Sequence, residues 1–136
     1  QKAAISDQWM TWSTDGFMGT FFPVFWQLVR TEESQRDYNK IAEMAKQSAE
    51  VLKVLEGHLD NNKFVAGDDF TYGDIPLGVL IHKYFVLDIK RPSMPGIEAW
   101  YQRLTERNPY KEHAMQPFGN SPEEFLKLQT KGEKNL

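Results

Sequence analysis

The sequence predicts an all-α fold, a bundle of about five to six helices, and three observations lead there. Apolar residues recur at spacings of three and four along several segments. No stretch shows sustained apolar–polar alternation between strand-type turns. Prolines, glycines and asparagines fall between the periodic segments, where helices start and stop.

Each element follows from its own spacing. Ile5, Trp9, Trp12 and Gly16, then Phe17, Phe21, Phe25 and Leu28, repeat at three or four residues and predict a long first helix from Ala3 to Val29. Pro23 lacks an amide and crowds the turn before it, so a kink is expected near Thr20–Pro23. Asp15-Gly16 is a poor helical pair in mid-helix, and Gly16 suits the close approach of another helix. Ser34-x-x-Asp37 reads as the start of the second helix, whose stripe is Ile41, Met44, Ala45, Ser48, Val51, Leu52 and Leu55. Gly57–Asn61 is its expected cap, and NNKFVAGDD a loop. A third helix is expected from Thr71 to Leu87, then a proline-bearing connection over Lys90–Pro95. Ile97, Trp100, Tyr101 and Leu104 mark a fourth helix that stops before Asn108-Pro109, with a short helical turn to Ala114. Ser121-Pro122-Glu123-Glu124 opens one more short helix: a cap, a proline at the first helical position, then acids near the positive helix end. The final KGEKNL is expected to fray. Residues 1–117 read as one helical domain and 118–136 as a C-terminal extension.

Composition narrows the function. A chain of 136 residues suits one compact core, and 40% hydrophobic with 26% charged residues is a soluble, globular balance. The net charge of −3, with no basic block, argues against nucleic acid as a partner. No apolar run is long enough to span a membrane. With no cysteine, disulfides, thiolate metal sites and a cysteine nucleophile are excluded, and a reducing cytoplasm fits. The start, QKAAISDQWM, carries neither an initiator Met nor a signal pattern and enters helical periodicity at once, so the chain reads as a piece of a longer protein. His58, His82 and His113 form no metal-ligand spacing, and no metal is expected.

Two stretches carry possible chemistry. In FTYGDIPLG, Asp74 is either a reactive acid or part of a helix cap. Thr71-Tyr72-Gly73-Asp74 has capping-box spacing: the Thr71 hydroxyl would accept from the Asp74 amide while the Asp74 carboxylate reaches the Thr71 amide. Phe70 and Ile75 would staple the start, and Pro76, at the fifth helical position, would remove a backbone bond. An unpaired carboxylate in an apolar run costs more than a cap returns, so the capping reading is preferred. On it, Asp74→Ala costs about 1–3 kcal/mol. The second stretch is the aromatic series Phe17, Phe21, Phe22, Phe25 and Trp26, too many for one narrow stripe. Core packing accounts for most of it; an apolar small-molecule pocket is the alternative.

Four segments resemble the C-terminal all-helical domain of the glutathione S-transferases, especially bacterial members near the theta and beta classes: AAISDQWMTW, LVRTEESQRD, FVAGDDFTYGDIPLG and PGIEAWYQRLTERNPYKE. The likeness runs from Ala3 to Glu112. Gly73 stands where the family usually has Ala and Gly96 where it has Asn. Ile81-His82-Lys83-Tyr84 stands where an arginine is often found.

The resemblance implies that a thioredoxin-like domain outside this chain binds most of glutathione, the co-substrate, and supplies the catalytic Ser, Tyr or Cys. This chain would then hold no catalytic residue and no cofactor of its own. It would supply the hydrophobic substrate wall, with Trp12, Met18, Phe21 and Phe25 as substrate contacts, and part of a homodimer interface. Asp15 would meet the glutathione amino group of the other subunit. The alternative the resemblance leaves is a non-catalytic assembly module of the same fold.

Overall fold

The computed structural model describes residues 1–133, all of its regular structure helical. Helix α1 spans Lys2–Trp12, a π-helical turn spans Ser13–Met18, and α2 spans Gly19–Val29, so the three form one uninterrupted rod. Pro23 lies inside α2, whose helical hydrogen-bonded pattern runs on through it. Pro23 and Gly19, whose carbonyl loses its partner, are both exposed, so water satisfies the orphaned group. The departure from α geometry lies upstream, at Asp15-Gly16. A π turn takes in an extra residue and re-aims the following side chains. Gly16 does not admit another helix: a Cβ there would stand 2.9 Å from the Trp12 indole nitrogen, so it makes room for the rod's own Trp12.

Helix α3, Tyr38–Leu59, starts later than expected. Asp37 is itself the N-cap, its carboxylate accepting from Lys40 N at 3.0 Å, while Ser34 belongs to a separate 3-10 turn. Gly57 lies inside the helix, and the end is held instead by Asn62, whose amide donates to the His58 carbonyl at 2.9 Å. The stripe Ile41–Ala45–Ser48–Leu52–Leu55 faces α2. Within it the buried Ser48 hydroxyl lies 3.0 Å from the Thr20 carbonyl across the helix pair.

The loop after α3 turns at Gly67, whose φ of +123° favours glycine, and Phe64 and Gly67 exchange backbone bonds of 2.8 and 3.1 Å. Helix α4 spans Asp74–Val86 and α5 Pro95–Thr105. The free amides opening α5 are satisfied from another helix: Glu56 of α3 accepts from Gly96 N at 2.9 Å and Ile97 N at 2.8 Å. Gly96 fits this contact, since a Cβ would sit 3.2 Å from the Glu56 carboxylate.

Short α6, Asn108–His113, returns Tyr110 to α4, where its hydroxyl donates to the Gly78 carbonyl at 2.7 Å. Helix α7 spans Pro122–Glu133, with Ser121 Oγ accepting from Glu124 N at 3.2 Å. Lys131–Glu133 are therefore helical, and the fraying expected at Lys134–Leu136 lies outside the described residues.

The main core gathers Phe17 and Phe21 from the rod, Leu52 and Leu55 from α3, Leu77 and Ile81 from α4, and Ile97, Trp100 and Leu104 from α5. Phe118, the first residue of the segment set apart by sequence, is buried in the same core, its ring 5.1 Å from Phe25.

Candidate functional site

Helical spacing divides the aromatic series into two neighbouring stripes. Phe17, Phe21 and Phe25 point inward. Phe17 and Phe21 are wholly buried and stacked at 5.1 Å and 7°, with Tyr84 edge-on to both at 6.0 and 5.9 Å. Phe25 is 5% exposed beneath Phe118 and Phe125. Phe21 and Phe25, expected to touch substrate, thus stand in the core, where their surface is already covered by protein. The four-residue step that placed them on one face also placed them on the packing face.

One residue further on, Phe22 and Trp26 line the outer stripe with Met18. Phe22 and Met18 are half-buried, and Trp26 is 37% exposed. Their rings are linked edge to face, Phe22 to Trp26 at 6.0 Å and Phe25 to Trp26 at 6.1 Å. The guanidinium of Arg30 sits between the Trp26 ring at 3.9 Å and the Phe125 ring at 4.6 Å, clasping α7 against α2. Arg36 adds a bond of 2.9 Å to the Asn120 carbonyl. Sequence reading counted Phe22 and Trp26 without assigning them a role and missed Arg30 and Phe125. Helical spacing could have found the first two, because Met18, Phe22, Trp26 and Arg30 follow each other at four. The pairing with Phe125 has no local signal.

Toward the N-terminus the same rod carries Asp15 and Trp12. Asp15 is exposed and lies with Trp12, Thr11 and Gly16 in a shallow concavity of about 750 Å³. Trp12 is half-buried and also borders a second trough of about 450 Å³ with Trp9, Val54 and His58. Trp9 packs against Trp12 at 5.2 Å and against the His58 ring at 4.6 Å, and His58 Nε2 is fixed 2.8 Å from the Val65 carbonyl.

Asp74 has no access to any ligand. It is fully buried, and each oxygen is occupied: Oδ1 accepts from Val65 N at 3.0 Å and Trp100 Nε1 at 2.8 Å, Oδ2 from Thr71 N at 2.8 Å and Thr71 Oγ1 at 3.3 Å. The carboxylate thus reaches the Thr71 amide, as the capping box requires. The reciprocal bond is different. Asp74 N donates to the Thr71 carbonyl at 3.0 Å, and the Thr71 hydroxyl accepts from Ser6 Oγ of α1 at 2.9 Å. The cause is that Thr71–Gly73 make a turn and the helix begins at Asp74. Pro76 is then the third helical residue, where its missing amide is one of the unpaired first-turn groups and removes no helical bond. The expected staple is not what fixes this start: Ile75 is 50% exposed, and Phe70 packs edge-on to Phe64 at 6.1 Å and under Arg107 at 3.8 Å.

Other titratable groups lie behind the aromatic flank. Burial pushes the His82 imidazole and the Lys83 amine down from their ordinary values and the Tyr84 phenol up. His82 Nδ1 lies 2.9 Å from the Tyr101 hydroxyl, and Lys83 Nζ 5.6 Å from the Phe118 ring. Among the described residues no group of three His, Asp or Glu side chains is placed to hold a metal, and no helix is long and apolar enough to cross a membrane.

Residues 17–108 match the family model described as the glutathione S-transferase C-terminal domain. Glutathione S-transferase GstB of Escherichia coli is 28% identical over 116 residues, covering 85% of this chain and 56% of that protein. Glutathione S-transferase 3 of Zea mays is 29% identical over 120 residues, covering 82% of this chain and 52% of that protein. A theta class glutathione S-transferase from Xanthomonas axonopodis pv. citri, solved with glutathione bound, superposes with a TM-score of 0.83 at 39% identity. That match covers 87% of this chain and 62% of the solved one. The chain spans a little over half the length of the curated relatives it matches.

Proposed function

The chain belongs to the glutathione S-transferase C-terminal domain family, and from that premise we propose that it is the helical half of a transferase joining glutathione to apolar electrophiles. The observation that carries this reading is the outer stripe Met18–Phe22–Trp26, an aromatic wall left partly open beside a closed core. In the proposed reaction a glutathione thiolate forms a carbon–sulfur bond with the electrophile, and the displaced electron pair leaves with its leaving group or takes up a proton. The thiol is activated in a thioredoxin-like domain outside these residues.

This chain's part is binding and orientation. Phe22 and Trp26 offer flat apolar faces that strip water from the electrophile and hold it for attack. Phe21 and Phe25 act from underneath by fixing the backbone under those rings. Asp15 offers an exposed carboxylate to the glutathione ammonium of a partner subunit, and Trp12 borders that contact. The trough at Trp9, Trp12, Val54 and His58 supports a homodimer seated on this end of the rod. Residues 1–136 alone are expected to show no conjugating activity.

The test is steady-state kinetics on the full-length transferase that carries this domain. Phe22→Ala and Trp26→Ala should each raise KM for an apolar electrophile about tenfold and leave KM for glutathione unchanged, the scale of losing a few apolar contacts. Asp15→Asn should do the reverse. An unchanged electrophile KM in both aromatic variants would move the substrate wall off this stripe.

A further inference from the structure

Among the described residues every lysine but one is exposed. Lys2, Lys53 and Lys127 are also held by carboxylates, those of Asp69, Glu50 and Glu123. The exception is Lys83, which is half-buried on α4 between His82, 6% exposed, and Tyr84, 2% exposed. A lysine stem normally carries its ammonium out to water. This one ends beside the segment that precedes α7. Its Nζ lies 5.6 Å from the ring of Phe118, which is itself buried against Phe25 at 5.1 Å.

Nothing nearby compensates the charge. Among the described residues Lys83 makes no ion pair. Burial alone pushes its amine down, and no carboxylate pulls it back up. Its sequence neighbours offer no anion either. The His82 imidazole is held toward its neutral form and lies 2.9 Å from the Tyr101 hydroxyl, and the Tyr84 phenol is pushed up by burial. An ammonium removed from water without a partner favours the neutral amine. That form is the nucleophile, and a lysine desolvated among apolar groups is suited to attack on carbonyl carbon. Half-burial leaves the amine within reach of a small molecule, whereas its neighbours His82 and Tyr84 are closed off.

We infer that Lys83 is a covalent modification site for small apolar aldehydes, held as an imine beside Phe118. The Nζ lone pair attacks the carbonyl carbon and a carbon–nitrogen bond forms. The carbonyl oxygen then leaves as water with both amine protons, so no oxidant or reductant is consumed. On taking a proton from solvent, the imine carries a positive charge that the Phe118 ring face attracts. The same surroundings that keep water from the amine admit an alkyl chain more readily than a hydroxylated one. Neither glutathione nor the outer stripe Met18–Phe22–Trp26 takes part, so the site is independent of the transferase reading.

The probe is hexanal, added to the 136-residue chain at pH 7 with sodium cyanoborohydride to trap imines as secondary amines. Peptide mapping by mass spectrometry gives a labelling rate for each lysine. The references are Lys46 and Lys90, which are exposed and make no ion pair among the described residues. Lys83 is expected to be labelled about fivefold faster than either, or more. With glycolaldehyde, small and hydroxylated, that preference should fall toward one. Unfolding the chain in urea should abolish it, because desolvation comes from the fold. Lys83→Arg keeps the charge and should remove the fast phase of total labelling, with circular dichroism checking that the variant is folded. A Lys83 rate no greater than that of Lys46 and Lys90 would overturn the assignment in the unmutated chain alone. So would an equal preference with glycolaldehyde, a preference that persists in urea, or a fast phase that survives in folded Lys83→Arg.

Discussion

The two ends of the rod α1–α2 are attached to the rest of the bundle by different physics. At the α1 end the contacts are directional. Ser6 bonds Thr71, and Thr71 bonds Asp74. Asp74 also collects Val65 and Trp100 from the loop after α3 and from α5. The Tyr72 hydroxyl adds a bond of 2.9 Å to the Ala3 carbonyl. At the α2 end the rod packs on α3, and its outer stripe meets α7 through ring faces and through Arg30 between Trp26 and Phe125. Directional bonds in a dry site permit one arrangement, because any shift leaves a buried donor unpaired. Ring packing permits sliding and rotation at small cost. The rigid end suits a fold-determining joint, and the adaptable end leaves Met18, Phe22 and Trp26 partly open.

The strongest way to break this contrast is Asp74→Ala. It strands the Val65 amide, the Trp100 indole and the Thr71 amide together, and urea unfolding should show a loss of about 3–5 kcal/mol. That exceeds the 1–3 kcal/mol of a local cap. A loss within the smaller range would mean that the tertiary donors contribute little.

Gly73→Ala is next. The new Cβ would stand 2.8 Å from the Ser6 Cα, which is backbone and has no rotamer to yield, so about 1–3 kcal/mol is expected in the same measurement.

Arg30→Ala tests the other end. Global stability should fall by no more than about 1 kcal/mol, while hydrogen exchange in α7 quickens severalfold. A large global loss would make the clasp as rigid as the Asp74 joint and erase the distinction.

The smallest effect concerns His82, whose pKa is lowered from 6.5 by burial and, secondarily, by the Lys83 charge. The folded ring stays neutral at a pH where the unfolded chain takes up a proton, so the unfolded state binds more protons between the two pKa values. Stability therefore falls as pH drops from about 7 through 6.5 toward the folded pKa, and levels off below it. His82→Gln should flatten that slope, read from urea midpoints across the window.

Much of this was legible in the chain. The helices α3 and α5 show themselves by three- and four-residue apolar spacing, and Ser121-Pro122-Glu123-Glu124 marks the start of α7 because a cap, a proline and acids all suit a helix N-terminus. The segment FTYGDIPLG identified Asp74 as a bonded rather than a reactive acid. Less legible was the site. Phe21 and Phe22 are neighbours with the same chemistry, and only their phase on the rod decides which is wholly buried and which is half-buried. A π turn at Asp15-Gly16 precedes them and shifts the register of α2 relative to α1. The sequence marked this pair as unsuited to an ordinary helix without saying how the helix would answer.

Sequence alone determined the all-α class, the order of the helices and the family, because periodicity, caps and punctuation are local and the chain carries them in consecutive residues. Tertiary structure alone decided that Asp74 answers to Trp100 and Val65, that Glu56 caps α5, and that Arg30 joins Trp26 to Phe125. Each of these pairs distant residues through one bond or one ring contact, and such a contact leaves no periodic trace in the chain. It exists only once the packed core has brought its two sides together.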